Sequence, residues 1–402
     1  MSLPTSTSIR LMTMMFFEFF LWGCWYATAA TYLTRIGFSG LEVGAVYSTV
    51  SWGAIISPFF IGMIADRFFP AQYVKALMHI AGAGVLWYLS SLTDPSTFFW
   101  VILLYTVMFM PTIALANTIS FHQMDDPKSQ FPVVRVLGTI GWIIAGILLS
   151  ILGWEDSHMQ FQLAAVCSLG LGLYCFTLPH TPPSSNDAKV TIKDVLGVKA
   201  LGLFKSKSFT IFIICSLLIS IPLSFYFAWA NPFLNELGME NAAAKMTLGQ
   251  GSEIIFLLLL PLFYKRLGVK KMLLIGMMAW VLRYVLFAYG DNESLVWMLY
   301  IGIILHGICF DFFFVTGQIY VDNAAPKEVQ ASAQGIITLV TYGIGMLIGS
   351  YASGWVVEQY TNSDNTHLWE TIWLIPAGMA LFSAIIFAVI FHDDRNEEKI
   401  KI

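Results

Sequence analysis

The chain has 402 residues, of which 57% are hydrophobic and only 11% charged, and its formal net charge is −4. Soluble domains carry about 25% charged residues, so this composition excludes a water-soluble globular protein. The mean hydropathy is +0.72, and many apolar stretches reach about 20 residues, the length that crosses a ~30 Å hydrocarbon core. The composition therefore predicts a polytopic membrane protein.

Apolar runs bounded by charged residues, prolines or polar clusters predict twelve membrane-spanning helices. The first run looks superficially like a cleaved signal peptide, but Glu18 interrupts it and the apolar stretch continues towards Leu33, which favours an uncleaved helix. The five cysteines lie in apolar spans without metal-ligand spacing, so we expect reduced packing residues and no metal site. The predicted spans lie near residues 10–34, 41–65, 72–93, 97–122, 131–153, 159–179, 208–235, 243–265, 269–289, 294–321, 329–357 and 368–391.

A long polar stretch between spans six and seven divides the chain into two halves. We predict an N-terminal six-helix bundle over residues 1–180, a cytoplasmic linker over 181–207, and a C-terminal six-helix bundle with a short cytoplasmic tail over 208–402. The halves echo each other, since span two ends in "GMIADRFFPAQYVKAL" and span eight, six spans later, ends in "PLFYKRLGVKKML". Spans five and eleven are both rich in glycine, which lets membrane helices approach closely and is typical of packing.

The loops of this topology differ in charge between the two sides. On one side the loops carry almost no positive charge beyond Arg35 and contain several acidic residues. The positive-inside rule therefore places the other side, together with both termini, in the cytoplasm. Two duplicated halves joined by a central cytoplasmic loop are typical of an alternating-access transporter with its site near the midplane. The residues assigned to the cytoplasmic side are Arg10, Arg67, Lys75, Lys128, Lys189, Lys193, Lys199, Lys205, Lys207, Lys265, Arg266, Lys270, Lys271, Lys327, Arg395, Lys399 and Lys401.

Ionisable side chains inside the spans are candidate functional residues, because a charge in hydrocarbon is costly. In span five, Arg135, Thr139 and Trp142 fall at i, i+4 and i+7 on one helical face, which suits a polar ligand that carries a ring. The alternative is a structural arginine near the cytoplasmic end of the helix. In span eight, Gln250 and Glu253 share a face at i and i+3, where the glutamate needs a partner or a wet cavity. The other ionisable residues within spans are Glu18, His79, Lys245, Arg283, His306 and Asp311.

Asp311 lies among four phenylalanines in the run "LHGICFDFFFVTGQIYV" of span ten. On a regular α-helix it shares a face with Phe314 and Gln318, while His306 and Phe310 lie on the adjoining face. An ionised carboxylate far from water is costly unless it is paired, wetted or protonated. Either Asp311 faces a central cavity and alternates between a proton and a charge partner, or it forms a permanent ion pair with the arginine of span five or span nine.

The end of span two carries a first resemblance. "GMIADRFF" resembles the G-x-x-x-D-R signature loop between the second and third helices of the major facilitator superfamily. The resemblance implies that Asp66 and Arg67 help to lock the cytoplasmic gate. We accordingly expect an all-α membrane protein whose twelve transmembrane helices form two pseudo-symmetric six-helix bundles.

Further motifs resemble the nucleoside:proton symporter family of that superfamily over nearly the whole chain. The resemblance implies that an arginine, a threonine and an aromatic residue of helix five bind the nucleoside, and that helices eight and ten add Gln–Glu and Phe–Asp pairs whose acids bind the proton or the sugar. These residues correspond here to Arg135, Thr139, Trp142, Gln250, Glu253, Phe310 and Asp311. The motifs are "FLWGCW", "GAVYS", "MPTIALANTIS", "RVLGTIGW", "SHMQ", "TLPH", "LFAYGD", "FDFFFVTGQIYV" and "ASAQG".

The chain departs from the family at several binding positions. Where the family has a glutamine and, three residues on, an asparagine in helix seven, this chain has Ser224 and Phe227. A helix-ten tyrosine is His306, and a helix-one glutamine is Glu18. Because unmatched buried polar groups cost about 1–3 kcal/mol each, we expect these substitutions to change which ligand is accepted.

The leading hypothesis is a secondary active transporter that imports nucleosides together with protons by alternating access. Asp311, Glu253 or Glu18 would carry the proton, and the proton gradient would supply the energy without any cofactor. A proton-coupled symporter of a sugar or sugar-like ring compound is the alternative. An enzyme is disfavoured because the sequence contains no G-x-S-x-G or H-E-x-x-H motif.

The same sequence features predict the surroundings of the protein. We expect a multi-pass protein of the bacterial cytoplasmic (inner) membrane, with both termini in the cytoplasm. Its partners would be the lipid bilayer, a nucleoside or related small molecule, and the proton. We expect no nucleic acid partner, and a monomer.

Overall fold

The helices of the computed structural model follow the predicted apolar runs. Residues 4–57, 69–183 and 198–392 are described. The predicted gate residues Asp66 and Arg67, most of the predicted linker and the tail from residue 393 lie outside these ranges. The helices are α1 (Thr5–Gly23), α2 (Ala29–Arg35), α3 (Gly40–Ser57), α4 (Ala71–Leu89), α5 (Pro95–His122), α6 (Pro127–Leu152), α7 (Met159–Cys175), α8 (Lys207–Glu236), α9 (Ala242–Tyr289), α10 (Val296–Ala324), α11 (Ser332–Gln359) and α12 (Trp369–Ile390).

These helices account for the predicted spans. Seven helices within the described residues are long and apolar enough to cross a membrane. α1 and α2 together form the first predicted span, and α9, with 48 residues, contains the eighth and the ninth. Each of the other predicted spans corresponds to one helix, and residues 58–65 of the second predicted span lie outside the described ranges. The predicted all-α membrane fold is therefore confirmed.

A single glycine divides α9 into two arms. Gly268 has φ 71° and ψ 171°, a conformation that glycine adopts without the steric penalty of a side chain. Leu260 lies before the break and Met272 after it, and both pack against Phe312 of α10. The two arms of α9 are therefore two helices, which correspond to the eighth and ninth predicted spans and are joined by a sharp turn at Gly268.

The first of two compact units comprises Met1–Lys189 and Glu240–Ala244. Within it, α1 packs along α6, α3 along α5, and α4 along α7. A Cβ atom built on Gly141 of α6 would lie 2.2 Å from the carbonyl oxygen of Phe16. No side chain fits in that space, so the packing role predicted for the glycines of span five is confirmed at this position.

The second unit comprises Val190–Met239 and Lys245–Ile402. Its central helix, α8, packs along both α11 and α12. The rings of Tyr284 and Trp373 stack with their centres 5.5 Å apart, and the Tyr284 hydroxyl donates to the carbonyl of Pro222 at 2.5 Å. Aromatic stacking and one buried hydrogen bond thus connect α8, α9 and α12.

Two helices of the second unit contain π-helical segments, Asp311–Val315 in α10 and Leu339–Gly345 in α11. A π-helical turn is wider than an α-helical turn and occurs frequently at functional sites. The prediction that span ten is a regular α-helix with Phe314 and Gln318 on the face of Asp311 is therefore wrong, because the register changes at residue 311. His306 and Phe310 remain in the α-helical part.

Candidate functional site

In the first unit, aromatic side chains of α1 contact the predicted ligand-binding face of α6. The guanidinium carbon of Arg135 lies 3.9 Å from the ring centre of Phe19, which is a cation–π contact. The rings of Trp142 and Trp22 lie 5.5 Å apart, centre to centre, at a steep angle. Arg135, Thr139 and Trp142 are each half-buried. This face therefore presents a cation, a hydroxyl and aromatic rings.

Glu18 is wholly buried in the same unit. Its carboxylate forms an ion pair with Lys75 of α4, and its Oε1 atom accepts a hydrogen bond from the Thr112 hydroxyl at 2.6 Å. The Nε2 atom of His79 lies 3.0 Å from Oε2. The charge of Glu18 is thus neutralised by a fixed partner, which is what a buried carboxylate needs.

The ammonium of Lys75 has three polar neighbours in this cluster. Besides the carboxylate of Glu18, its ammonium lies 3.1 Å from His79 Nε2 and donates to the carbonyl of Thr112 at 3.1 Å. Lys75 was counted among the charges of the cytoplasmic side, and the structure shows that its side chain is wholly buried and is not a loop charge. The signal in the sequence was its position four residues before His79, on the same helical face.

In the second unit, Asp311 has no such partner. It is wholly buried, and among the described residues neither of its carboxylate oxygens has a hydrogen-bond partner. The permanent ion pair with the arginine of span nine does not form, because Arg283 contacts His306 and Tyr226 instead. Asp311 is thus a buried carboxylate without fixed charge compensation, which is costly while it is ionised.

His306 lies between a cation and a carboxylate. Its Nδ1 atom is 3.1 Å from Nη1 of Arg283, and its Nε2 atom is 3.7 Å from Oε2 of Glu253. The imidazole stacks between the rings of Tyr226, 5.2 Å away, and Phe310, 5.8 Å away. The side chain of Glu253 is 24% exposed, so it is the accessible member of this group.

The remaining predicted binding residues separate into two groups. Phe227 lies edge-on to His306 with ring centres 6.4 Å apart, and Gln250 is half-buried one turn before Glu253. Ser224, in contrast, is buried, and its hydroxyl donates to the carbonyl of Met346 in α11 at 3.2 Å. Phe227 therefore lies with the other predicted binding residues, whereas Ser224 lies in the contact between α8 and α11.

Two residues that contact His306, namely Arg283 and Tyr226, were not predicted as site residues. Arg283 was considered only as an ionisable residue that could pair with Asp311, and Tyr226 was not singled out. Arg283 contacts His306 across 23 residues of sequence, and Tyr226 belongs to a third helix. Spacing along one helix carries no signal for contacts of this kind.

Taken unit by unit, the site residues suit the binding of a polar ring compound. The first unit presents a guanidinium, a hydroxyl and indoles. The second presents two carboxylates, an imidazole and phenyl rings. Within residues 4–57, 69–183 and 198–392, no three His, Cys, Asp or Glu side chains lie together as metal ligands would.

Comparisons with known proteins agree with one another. A family model described as nucleoside H⁺ symporter matches residues 5–396. The putative nucleoside transporter YegT of Escherichia coli is 42% identical over 405 residues, covering 97% of this chain and 95% of the relative. The xanthosine permease of Escherichia coli is 37% identical over 412 residues, covering 98% of each chain. The crystal structure of the nucleoside transporter NupG superposes with a TM-score of 0.89 at 36% identity, covering 96% of this chain and 99% of that one.

Proposed function

The chain belongs to the nucleoside H⁺ symporter family of the major facilitator superfamily and is a proton-coupled nucleoside transporter, in which we propose that Asp311 carries the coupled proton. The protein is a multi-pass membrane transporter and not an enzyme. The alternative from the sequence, a sugar symporter, is not supported, because the family model describes nucleoside symporters and the relatives at 36–42% identity are named nucleoside or xanthosine transporters.

The environment of Asp311 is the observation that supports this assignment most directly. Its oxygens have no hydrogen-bond partner among the described residues, and burial penalises the ionised form. Binding a proton removes that penalty, and contact with water or a ligand donor permits its release. A carboxylate in this situation couples proton binding to the conformational change of a transporter.

The other two carboxylates proposed for coupling differ from Asp311. Glu253 is partly exposed beside His306, so it is suited to contact with the ligand and is the second candidate for the proton. Glu18 is held by Lys75, Thr112 and His79. A charge that already has a permanent counter-charge gains less from a proton, so we assign Glu18 a structural role.

We assign nucleoside binding to side chains of both units. Arg135, Thr139 and Trp142 of α6 would supply a cation, a hydroxyl and an aromatic ring. Stacking on rings holds a flat base, and carboxylates or amides accept hydrogen bonds from ribose hydroxyls and base N–H groups. From the second unit, the residues in these roles are Phe227, Gln250, Glu253, His306, Phe310 and Asp311.

The bacterial origin of the relatives supports a location in the bacterial inner membrane, and the distribution of charge supports the orientation. Lysines and arginines concentrate in the loops assigned to the cytoplasm, together with both termini. We propose that the transporter acts as a monomer and draws its energy from the proton gradient alone, without a cofactor.

The purified protein in proteoliposomes provides the test. With the outside acidic, we expect accumulation of radiolabelled uridine and adenosine that is abolished by a protonophore. An excess of unlabelled nucleoside should compete, whereas an excess of glucose or maltose should not. Uptake that ignores the pH gradient, or competition by the hexose but not by the nucleoside, would contradict the proposal.

A further inference from the structure

We propose that Arg283 is a positioning residue for substrate binding: it holds His306 in one tautomer, whose Nε2–H faces Glu253, and keeps the imidazole from exchanging protons. This inference rests on the proposed function, since it concerns the same nucleoside site. It assigns Arg283 a role through His306 and no direct contact with the ligand.

Arg283 is held rigidly in the second unit. Its side chain is wholly buried, and its guanidinium carbon lies 3.4 Å from the ring centre of Tyr226 and 5.2 Å from that of Trp280. Among the described residues no carboxylate pairs with it. Aromatic faces and His306 therefore compensate the cation, and Arg283 remains charged because a guanidinium does not lose its proton in proteins.

The hydrogen bond between the two side chains fixes the tautomer. A guanidinium has N–H donors and no acceptor, so the Nδ1 atom of His306, 3.1 Å from Nη1 of Arg283, must accept. A neutral imidazole has one hydrogen, which then lies on Nε2. That nitrogen is 3.7 Å from Oε2 of Glu253. The imidazole therefore presents a donor on the side of the accessible carboxylate.

The same geometry prevents a second proton from binding to His306. A hydrogen on Nδ1 would bring two N–H donors and two positive charges against each other at this separation. The charged and titratable groups that face His306 are Arg283 and Glu253 of α9 and the phenol of Tyr226 of α8, while Cys309 and Asp311 lie on its own helix. Burial of the imidazole already disfavours its charged form, and of the charged groups Arg283 lies closest to Nδ1 and adds to that effect.

A donor next to an acceptor has a defined use in binding. The Nε2–H of His306 and the carboxylate of Glu253 together complement a hydroxyl group, which both accepts and donates a hydrogen bond. The ribose of a nucleoside carries such hydroxyls. A freely titrating imidazole would lose this arrangement whenever the pH changed the position of its hydrogens.

The experiment compares the pH profiles of nucleoside uptake, from pH 5.5 to 8, for four variants with the wild type. His306→Gln keeps an N–H donor in a side chain that does not titrate, so we expect the pH midpoint of its uptake profile to equal that of the wild type. Arg283→Gln removes the cation that faces Nδ1, so we expect the imidazole to bind a second proton at a higher pH than in the wild type, seen as a new step in the acidic part of the profile, and an increase in KM of about two- to tenfold. Arg283→Lys retains a cationic donor and should restore the wild-type profile. The double variant, Arg283→Gln with His306→Gln, should lose the new step.

Each outcome has a defined meaning. An unchanged profile for Arg283→Gln, or a new step that persists in the double variant, would overturn the inference. If Arg283→Gln does not reach the membrane, the His306→Gln profile decides alone: a shifted or lost pH response would mean that His306 itself exchanges the proton. Wild-type protein without nucleoside uptake would instead refute the proposed function, so the two failures are distinguishable.

Discussion

Glu18 and Asp311 are both wholly buried carboxylates, and they differ in what surrounds them. Glu18 has the ammonium of Lys75, the hydroxyl of Thr112 and the imidazole of His79. Asp311 has aromatic neighbours on its own helix and, among the described residues, no hydrogen-bond partner for either oxygen. The first arrangement fixes a charge in the unit, and the second leaves a carboxylate whose state can change.

At the residue scale, the ion pair between Glu18 and Lys75 predicts how substitutions change the free energy of unfolding. Lys75→Met leaves Glu18 as an uncompensated buried charge, which should cost about 3–5 kcal/mol of unfolding free energy. Combining it with Glu18→Gln should recover most of that loss, because no charge then remains. Denaturant unfolding of the purified protein in detergent measures both values. Equal stability of Lys75→Met and the wild type would show that the pair contributes nothing.

At the element scale, the close approach of α9 and α10 positions Glu253 next to His306. A Cβ atom built on Gly307 would lie 2.6 Å from the carbonyl carbon of Ser252 and 2.7 Å from the amide nitrogen of Glu253. These are backbone atoms of the neighbouring helix, which cannot rotate away as a side chain does. Gly307 therefore sets the distance between the two helices at the candidate site.

The substitution Gly307→Ala tests this contact. We expect it to push α9 and α10 apart and to cost about 1–3 kcal/mol, the usual cost of overpacking, and to raise the KM for nucleoside uptake by displacing Glu253. The matched control is Gly378→Ala in α12, where an added Cβ meets no atom within 4 Å and the change should be neutral or stabilising. If both alanine variants bind nucleoside and unfold alike, the close approach has no role.

The helices themselves could be predicted from the sequence. A segment that crosses the bilayer must be apolar and about 20 residues long, and it must form its own backbone hydrogen bonds, which a helix does. The face of Arg135, Thr139 and Trp142 follows from helical spacing, and the structure places these residues as half-buried neighbours. The π-helical segment at Asp311 was missed, because an extra residue in a turn leaves no trace in an apolar pattern. The contact of Arg283 with His306 was missed because it joins two helices.

At the scale of the whole molecule, the composition requires a membrane protein, and the family identifies a nucleoside symporter. Lys75 shows what a count of charges leaves out: the count assigns each lysine to one side of the membrane, and it does not reveal that this side chain is wholly buried and paired with Glu18. The family assignment, in contrast, rests on motifs spread along the chain, so one misplaced residue does not affect it.

The central claim is that protonation of Asp311 couples the gradient to nucleoside transport. The most direct measurement compares radiolabelled nucleoside accumulation under an imposed pH gradient with exchange at equal pH, in proteoliposomes containing wild type, Asp311→Asn or the exposed control Asp322→Asn. We predict that Asp311→Asn loses accumulation at least about tenfold, corresponding to ~1.4 kcal/mol, but retains exchange, while Asp322→Asn behaves as wild type. Full gradient-driven accumulation by Asp311→Asn would contradict the account.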